Sequence, residues 1–581
     1  VGMGGLFNRK CRDARPCVSI HCNASLRKTQ NPHEKKFSVA KNTDLKSVNT
    51  YPTINIMIAT KTRYDELPYT CNAMPYAQPD RLATLALLFG MTPPSVQTSR
   101  VLEIGCCDGS NIIPTAYAFP EADILGIDLS AQDIAKGQAQ IQALGLKNIT
   151  LKHQNLLEVD DRFGQFDYII AHGIYSWMSP EVQEKILHIC KHHLRANGIA
   201  YVSYNTKPGW NMRNTLRDMM RYHTAAITEE TARTEQSKAL LEFLSDATAK
   251  GEDRYSQFVS AELNEFKQLP ESFVCQEFIN EENHPLYFHE FIERAKTQGL
   301  AYLGDAFLHT MLTGDFSPPI AEALQQFKGD LIHQEQMMDY LRNRHFRHTL
   351  LCHQDMPLTR SLSPDVIRLF HIASSLEPVA NTASPAEQQF ENEMGSLSSD
   401  QPLIQAAIRY LAEQWPQSVT FSELVKQAQQ AVKAANDAQD DVQDESTLAD
   451  MLLKTYSMGL IELQSNPAQF VTTISEKPEA SPLARLQVKR SPKVTNLRCE
   501  WFTIKNQVCL YLLPYLDGKR DHAALLALLN DLLKKGQITL NVKHQETGEQ
   551  LTLSDNNKRE ILSQLLNDAL QKLAQVALLI N

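Results

Sequence analysis

Between residues 79 and 205 the chain alternates short, almost wholly apolar runs with longer segments whose apolar positions recur every three or four residues. The runs at 101–104, 124–127, 149–152, 166–171 and 199–204 are too short for helices and too evenly apolar for half-exposed strands, so they read as strands buried on both faces. The segments at 111–118, 131–144 and 180–194 have helical spacing, and Gly145 and Gly198 close the last two. Ahead of the first strand, Pro79 and Asp80 open a helix with Leu82, Leu85, Leu88 and Phe89 on its apolar face, ended by Gly90. Strands alternating with helices predict an α/β domain with a parallel, Rossmann-like sheet.

Past residue 224 the pattern changes. Residues 225–273 read as long helices with polar faces, a possible arm for contact with a second copy, and 280–353 as mostly helical with turns at Gly299, Gly304 and Pro318. Residues 378–401, rich in Ser, Ala and acidic side chains, read as a flexible linker. Helices at 403–411, 421–435 and 448–458, followed by strands at 460–464 and 470–474, suggest a winged helix with an acidic loop at 434–445. A second unit of that kind is expected at the C-terminus. The expected division is a basic extension at 1–56 outside the fold, a catalytic domain at 57–224, a helical arm at 225–279, a regulatory segment at 280–356, a linker and winged-helix-like domain at 357–478, and a C-terminal winged-helix-like domain at 479–581. Residues 1–56 carry ten Lys and Arg against three acidic residues and no apolar period, and recognisable order begins after Met57.

Charge and cysteine usage narrow the classes. A net charge of −10 speaks against a nucleic-acid binder that relies on a basic surface. No apolar run approaches the roughly 18 residues of a membrane span. Eleven irregularly spaced cysteines fit reduced thiols in a cytoplasm better than a disulfide framework.

The chemistry concentrates at 101–128. A tight turn from Gly105 to Gly109 follows the first strand, and Asp128 ends the second about 20 residues on, where such βαβ units hydrogen-bond the ribose hydroxyls of an adenosine cofactor. A nicotinamide dinucleotide needs G-x-G-x-x-G; that frame gives Gly105, Cys107 and Ser110, with two of the three glycines missing. Glu103 would also repel a pyrophosphate but suits the cationic sulfonium and amino group of S-adenosylmethionine. The E-x-G-x-x-x-G form of Glu103, Gly105 and Gly109 resembles motif I of the Rossmann-like methyltransferases. The residues expected around the cofactor are Glu103, Gly105, Cys106, Asp108, Gly109, Asn111, Asp128, Leu129, Asn155, Leu156 and His172. Methyltransferases of this fold usually carry an acidic residue near Asn155 to accept from the adenine amino group; the Asn155 amide oxygen can still accept.

The strings H-G-I-Y-S-W from His172, Y-V-S-Y-N-T-K-P-G-W from Tyr201 and R-D-M-M-R-Y-H from Arg217 resemble bacterial methyltransferases with a methyltransferase regulatory domain, a group that includes the rickettsial outer-membrane-protein lysine methyltransferases. The likeness continues near His289, Arg342, Leu483 and Asp517, and covers most of the chain from Tyr64 onward. It implies methyl transfer from S-adenosylmethionine, with a protein lysine the favoured acceptor over a small molecule; a cofactor-sensing protein without turnover is the competing class. Methyl transfer asks mainly that an uncharged nucleophile be held in line with the methyl group. A desolvated aromatic pocket favours the neutral amine. Tyr175, Trp177, Tyr204 and Trp210 are the candidate walls, although at least two are expected to be ordinary core aromatics. Asn205 is expected to position the substrate, and His172 to orient a hydroxyl, take a proton or only fix its loop. The 64–69 loop, Tyr64 to Tyr69, can fold over the cofactor or pack on the core. His188 with His192, and His345, His348, Cys352 and His353, lack the paired spacing of structural zinc sites, so no metal is expected.

Overall fold

A computed structural model of the chain describes residues 18–19, 71–266, 277–327, 329–380, 387–435, 445–539, 541–542 and 555–581. The 64–69 loop, nearly all of the basic extension and most of the acidic loop at 434–445 lie outside the described residues.

Seven strands share one sheet: β1 (Arg100–Ile104), β2 (Asp123–Asp128), β3 (Ile149–His153), β4 (Phe166–Ala171), β5 (Leu194–Asn205), β6 (Leu300–Asp305) and β7 (Phe346–His353), in the order β3-β2-β1-β4-β5-β7-β6. The first five are parallel, and β7 runs antiparallel between β5 and β6. The strand order reverses between β1 and β4, which opens a crevice beyond their carboxyl ends. Strand β5 begins at Leu194, earlier than its apolar run. Leu194 pairs with Phe166 ahead of a register shift, so the preceding helix stops at His192.

Helices α1 (Pro79–Leu88), α2 (Ile113–Ala118), α3 (Ala131–Leu144) and α4 (Pro180–His192) accompany these strands. Ser130 caps α3 by accepting from the Asp133 N–H, and Gly145 ends it at φ 68°, a left-handed conformation that suits glycine. Helix α5 (Gly209–His223) leads into the expected arm, which holds α6 (Glu230–Thr248) and α7 (Arg254–Phe266), and Trp210, Leu216, Met220, Val259, Leu263 and Phe278 share an apolar cluster across them.

The segment expected as a regulatory unit supplies β6 and β7, and therefore completes the cofactor-binding sheet. Helices α8 (Phe288–Thr297) and α9 (Leu331–Arg342) belong to the same segment. Arg347, fully buried on β7, donates to Glu335 and Asp339 of α9 at 2.8 Å each and lies over the Phe288 ring at 3.7 Å. Arg344 reaches Asp305 at 2.8 Å and the Tyr302 hydroxyl donates to Glu335 at 2.7 Å. Burying this many charges is tolerable only because they are mutually paired.

Downstream, two expectations are corrected. The stretch read as a flexible linker contains strands Gln388–Asn392 and Gly395–Ser399, paired as a hairpin. Asn392 closes its turn by accepting from the Met394 and Gly395 N–H groups, and Phe390 is buried. The expected wing fails at 470–474, which forms no strand. Glu462–Gln464 instead pairs with His371–Ala373, which also pairs with Val419–Thr420. Helices Pro402–Gln414, Phe421–Ala435 and Glu445–Ser457 stand where their periodicity placed them. A second apolar cluster, from Ala480 to Leu579, forms the separate core of the C-terminal module. Arg498 joins that module to the preceding one through Glu462 at 2.7 Å and the Trp415 ring at 4.6 Å.

Candidate active site

The glycine turn folds back on β2: the N–H groups of Gly105 and Cys106 donate to the Ile127 carbonyl at 2.9 and 3.1 Å. Gly105 and Gly109 sit at φ 70° and 77°, conformations that penalise any side chain. Asp128 is held at the end of β2, accepting from the Cys107 N–H and the Ser130 N–H at 2.8 Å each. Glu103 is buried at the end of β1. Its Oε1 accepts from the Asn111 amide at 2.7 Å, whereas its Oε2 is buried with no hydrogen-bond partner among the described residues. Burial, with the Asp128 and Asp108 charges adding to it, pushes the Glu103 carboxyl up to about 8. Burial also raises Asp108 and Asp128.

Three carboxyl groups around one turn, one with an orphaned oxygen, fit a cationic ligand and would repel a pyrophosphate. S-adenosylmethionine suits them: Glu103 would take its amino end and Asp128 its ribose hydroxyls. Asn111 also accepts from the Met74 N–H at 2.8 Å and from Gln78 at 2.9 Å, so residues 74–78 form a strap beside the turn. Asp108 accepts from the backbone and hydroxyl of Ser110. Cys106 is buried and Leu129 is about half exposed. Asn155 caps the turn Leu156–Glu158, its Oδ1 accepting from the Leu157 N–H at 3.0 Å. Cys107 is joined to Cys71 across a Cα–Cα distance of 6.4 Å, a pairing that the irregular spacing of the cysteines concealed; Cys106, Cys190, Cys352, Cys499 and Cys509 are free and buried.

Two glycines that the sequence reading passed over also shape the turn. A Cβ on Gly137 of α3 would lie 2.4 Å from the Asp108 carbonyl oxygen, and one on Gly126 of β2 would lie 2.7 Å from the Cys106 Sγ. A glycine inside a helical pattern was the available signal at Gly137.

Beyond β4 the candidate acceptor residues separate into four groups. Tyr175 and Tyr204 are fully buried against Phe291 of α8, with centroids 5.2 and 4.0 Å away. Trp210 is buried on Phe278 at 5.5 Å, with the half-buried Trp177 edge-on at 5.8 Å. Asn205 gives its amide to Asn283 at 3.0 Å. His172 goes elsewhere. Its Nδ1 lies 2.9 Å from the Tyr201 hydroxyl and 3.2 Å from Ser203, and that tyrosine hydroxyl lies 2.8 Å from Nδ1 of His348 on β7. Burial pushes His172 down to about 4 and His348 to about 3, so both imidazoles are neutral at neutral pH. Tyr76, Phe307 and Phe346 complete this ring cluster.

Sequence reasoning assigned no role here to Tyr76, Tyr201, Ser203, Phe307 and Phe346, and weighed His348 only as a metal ligand. Period-two alternation along β5 places Tyr201 and Ser203 on the face opposite Tyr204, and was the usable signal for those two. The histidine groupings do not converge. His188 and His192 lie 4.1 Å apart, tilted, on the exposed side of α4, and His353 turns to Lys191 and the Leu194 carbonyl. Among the described residues the grouping of metal-ligand type is Cys71, Cys107 and Asp108, whose thiols are joined.

The crevice of carboxylates agrees with what the chain resembles. Family models match residues 101–198 (methyltransferase domain), 270–353 ("predicted methyltransferase regulatory domain") and 476–578 ("PKMT, C-terminal winged helix domain"). The structure of PKMT2 from Rickettsia typhi, also solved with AdoHcy, superposes with a TM-score of 0.79 at 30% identity, covering 88% of this chain and 100% of that one. The chain belongs to the PKMT methyltransferase family. A Rickettsia prowazekii relative, the uncharacterized protein RP789, is 34% identical over 539 residues, spanning 90% of this chain and 94% of its own length. The PKMT fold here is thus that of an S-adenosylmethionine-dependent methyltransferase, with a mixed α/β sheet and a C-terminal winged helix. No helix among the described residues is long and apolar enough to cross a membrane.

Proposed function

We propose that this enzyme methylates lysine side chains of protein substrates. The observation that carries the reading is the extent of the likeness to PKMT2, a protein lysine methyltransferase by its abbreviation, which runs from the cofactor sheet to the C-terminal winged helix. A small acceptor needs only an enclosing loop, whereas a polypeptide needs docking surface that holds one lysine near the methyl group. The physical chemistry of the crevice supports an amine acceptor.

S-adenosylmethionine, when bound, supplies a methyl group on a cationic sulfur. Glu103 would hold the amino end and Asp128 would fix the ribose, and the neutral rings past β4 would line the approach of the acceptor. An amine that has given its proton to solvent at the edge of these rings would offer its lone pair to the methyl group. The arm carries the exposed aromatics Phe243 and Tyr255, with Tyr222 exposed just ahead of it, which support contact with a second copy; light scattering on the full chain checks this.

Incubation with methyl-labelled cofactor and cell lysate tests the reading. Label in macromolecules, sensitive to protease, is expected. Label only in small molecules overturns the protein acceptor, and binding without any transfer favours a cofactor sensor.

A further inference from the structure

The strap at 74–78 spans two sites. Its Met74 N–H and Gln78 amide are anchored on Asn111, the partner of Glu103, while its Tyr76 ring lies 4.7 Å from His348, 5.1 Å from Phe307 and 5.7 Å from His172. The ring cluster therefore stands directly beside the cofactor carboxylate. Register gives the same answer: Glu103 pairs with Ile170, which sets His172 level with Gly105, and the Ile174 side chain lies against Gly105.

The cluster is not a closed core. Tyr76, His172, Phe307, Phe346 and His348 are each half-buried, whereas Tyr201 beneath them is fully buried. Their centroids lie 4.7 to 6.2 Å apart, and the two imidazoles are parallel within 5°. Both rings are fixed by the shared Tyr201 hydroxyl, and His172 also by Ser203. The nearby carboxylate, Asp305, is fully buried and tied to Arg344. Partly exposed neutral rings suit an alkylammonium: the methylenes pack on ring faces and the nitrogen is attracted by them before it loses its proton.

Phe307, Phe346 and His348 come from the segment matched to the regulatory domain. Resting on the lysine reading, we propose that Tyr76, His172, Phe307, Phe346 and His348 form the slot that receives the acceptor's alkylammonium chain, and that the regulatory-domain segment is thereby part of the acceptor site. In the transfer, the amine nitrogen gains the methyl carbon, the carbon–sulfur bond breaks with its electron pair left on sulfur, and the amine's proton passes to solvent.

The probe is n-butylamine, the lysine side chain without its backbone, used with the full chain. With S-adenosylhomocysteine bound, saturation-transfer NMR should detect butylammonium on the wild type and lose it in Phe307→Leu and Phe346→Leu, which keep apolar bulk and remove the ring. In turnover, each variant should raise the KM for butylamine about tenfold, with kcat nearly unchanged and calorimetric cofactor affinity intact. An unchanged KM, loss of cofactor affinity together with amine binding, or no saturation transfer to the wild type overturns the slot. Lysine methylation of lysate proteins persisting beside such a failure leaves the lysine reading standing. Label on hydroxyl or carboxyl acceptors instead of amines overturns that reading itself.

Discussion

Glu103 is a buried carboxyl whose second oxygen has no hydrogen-bond partner among the described residues, and its proton follows from that. With its folded value near 8, raised by burial, the group favours the folded state fully below its unfolded value, and that contribution is lost as pH rises toward 8. Glu103→Gln should flatten the stability of the unliganded protein between pH 5 and 8, as read by denaturant titration. A cationic ligand reverses the preference, so cofactor binding at pH 7 should release close to one proton. Calorimetry in buffers of different ionisation enthalpy measures this, and Glu103→Gln should abolish it. Asp128→Ala removes the acceptor for ribose and frees the Cys107 and Ser130 amides. Cofactor affinity should fall by about 1.5–3 kcal/mol, the range for hydrogen bonds to a charged group, and equal affinity for the variant would refute the placement. Glu103 and Asp128 were legible in the sequence because both follow short apolar runs at fixed distance from a glycine turn. His348 in this role was not, because it meets Tyr201 from 147 residues away, a distance over which spacing carries no information.

At the scale of elements, α3 presses its Gly137 against the Asp108 carbonyl. Gly137→Ala should shift the cofactor turn and lower S-adenosylmethionine affinity at least tenfold while the helix itself persists by circular dichroism. Gly145→Ala is the control: open space surrounds that position, so the variant carries only the cost of φ 68°, about 1 kcal/mol, and cofactor affinity should not change. The buried strands and amphipathic helices of the first five repeats were readable from period alone. The partner of Glu462–Gln464 was not, because His371–Ala373 lies in an irregular stretch and has no alternation of its own to announce it. The hairpin at 388–399 was hidden by polar composition, since Phe390 and the half-buried Leu397 suffice to anchor it.

Across the whole molecule, the sheet joins the cofactor half to the segment matched to the regulatory domain, and Arg498 clasps the C-terminal module. Arg498→Met removes bonds to two partly exposed carboxylates, Glu462 and Glu500, and to the Pro416 carbonyl. It should cost about 1–3 kcal/mol in the coupling of that module, seen as faster proteolysis between the two apolar clusters with cofactor affinity unchanged. That the cofactor and regulatory parts share one sheet was not legible in the sequence, because β5 and β7 are adjacent in space and separated by the whole arm in the chain. Mass spectrometry of lysate proteins after incubation with the enzyme and S-adenosylmethionine tests the central claim most directly. Methyl groups on lysine Nζ, present with the wild type and strongly reduced with Asp128→Ala at limiting cofactor, are predicted; methylation confined to other residues or to small molecules, or equal with the variant, would contradict it.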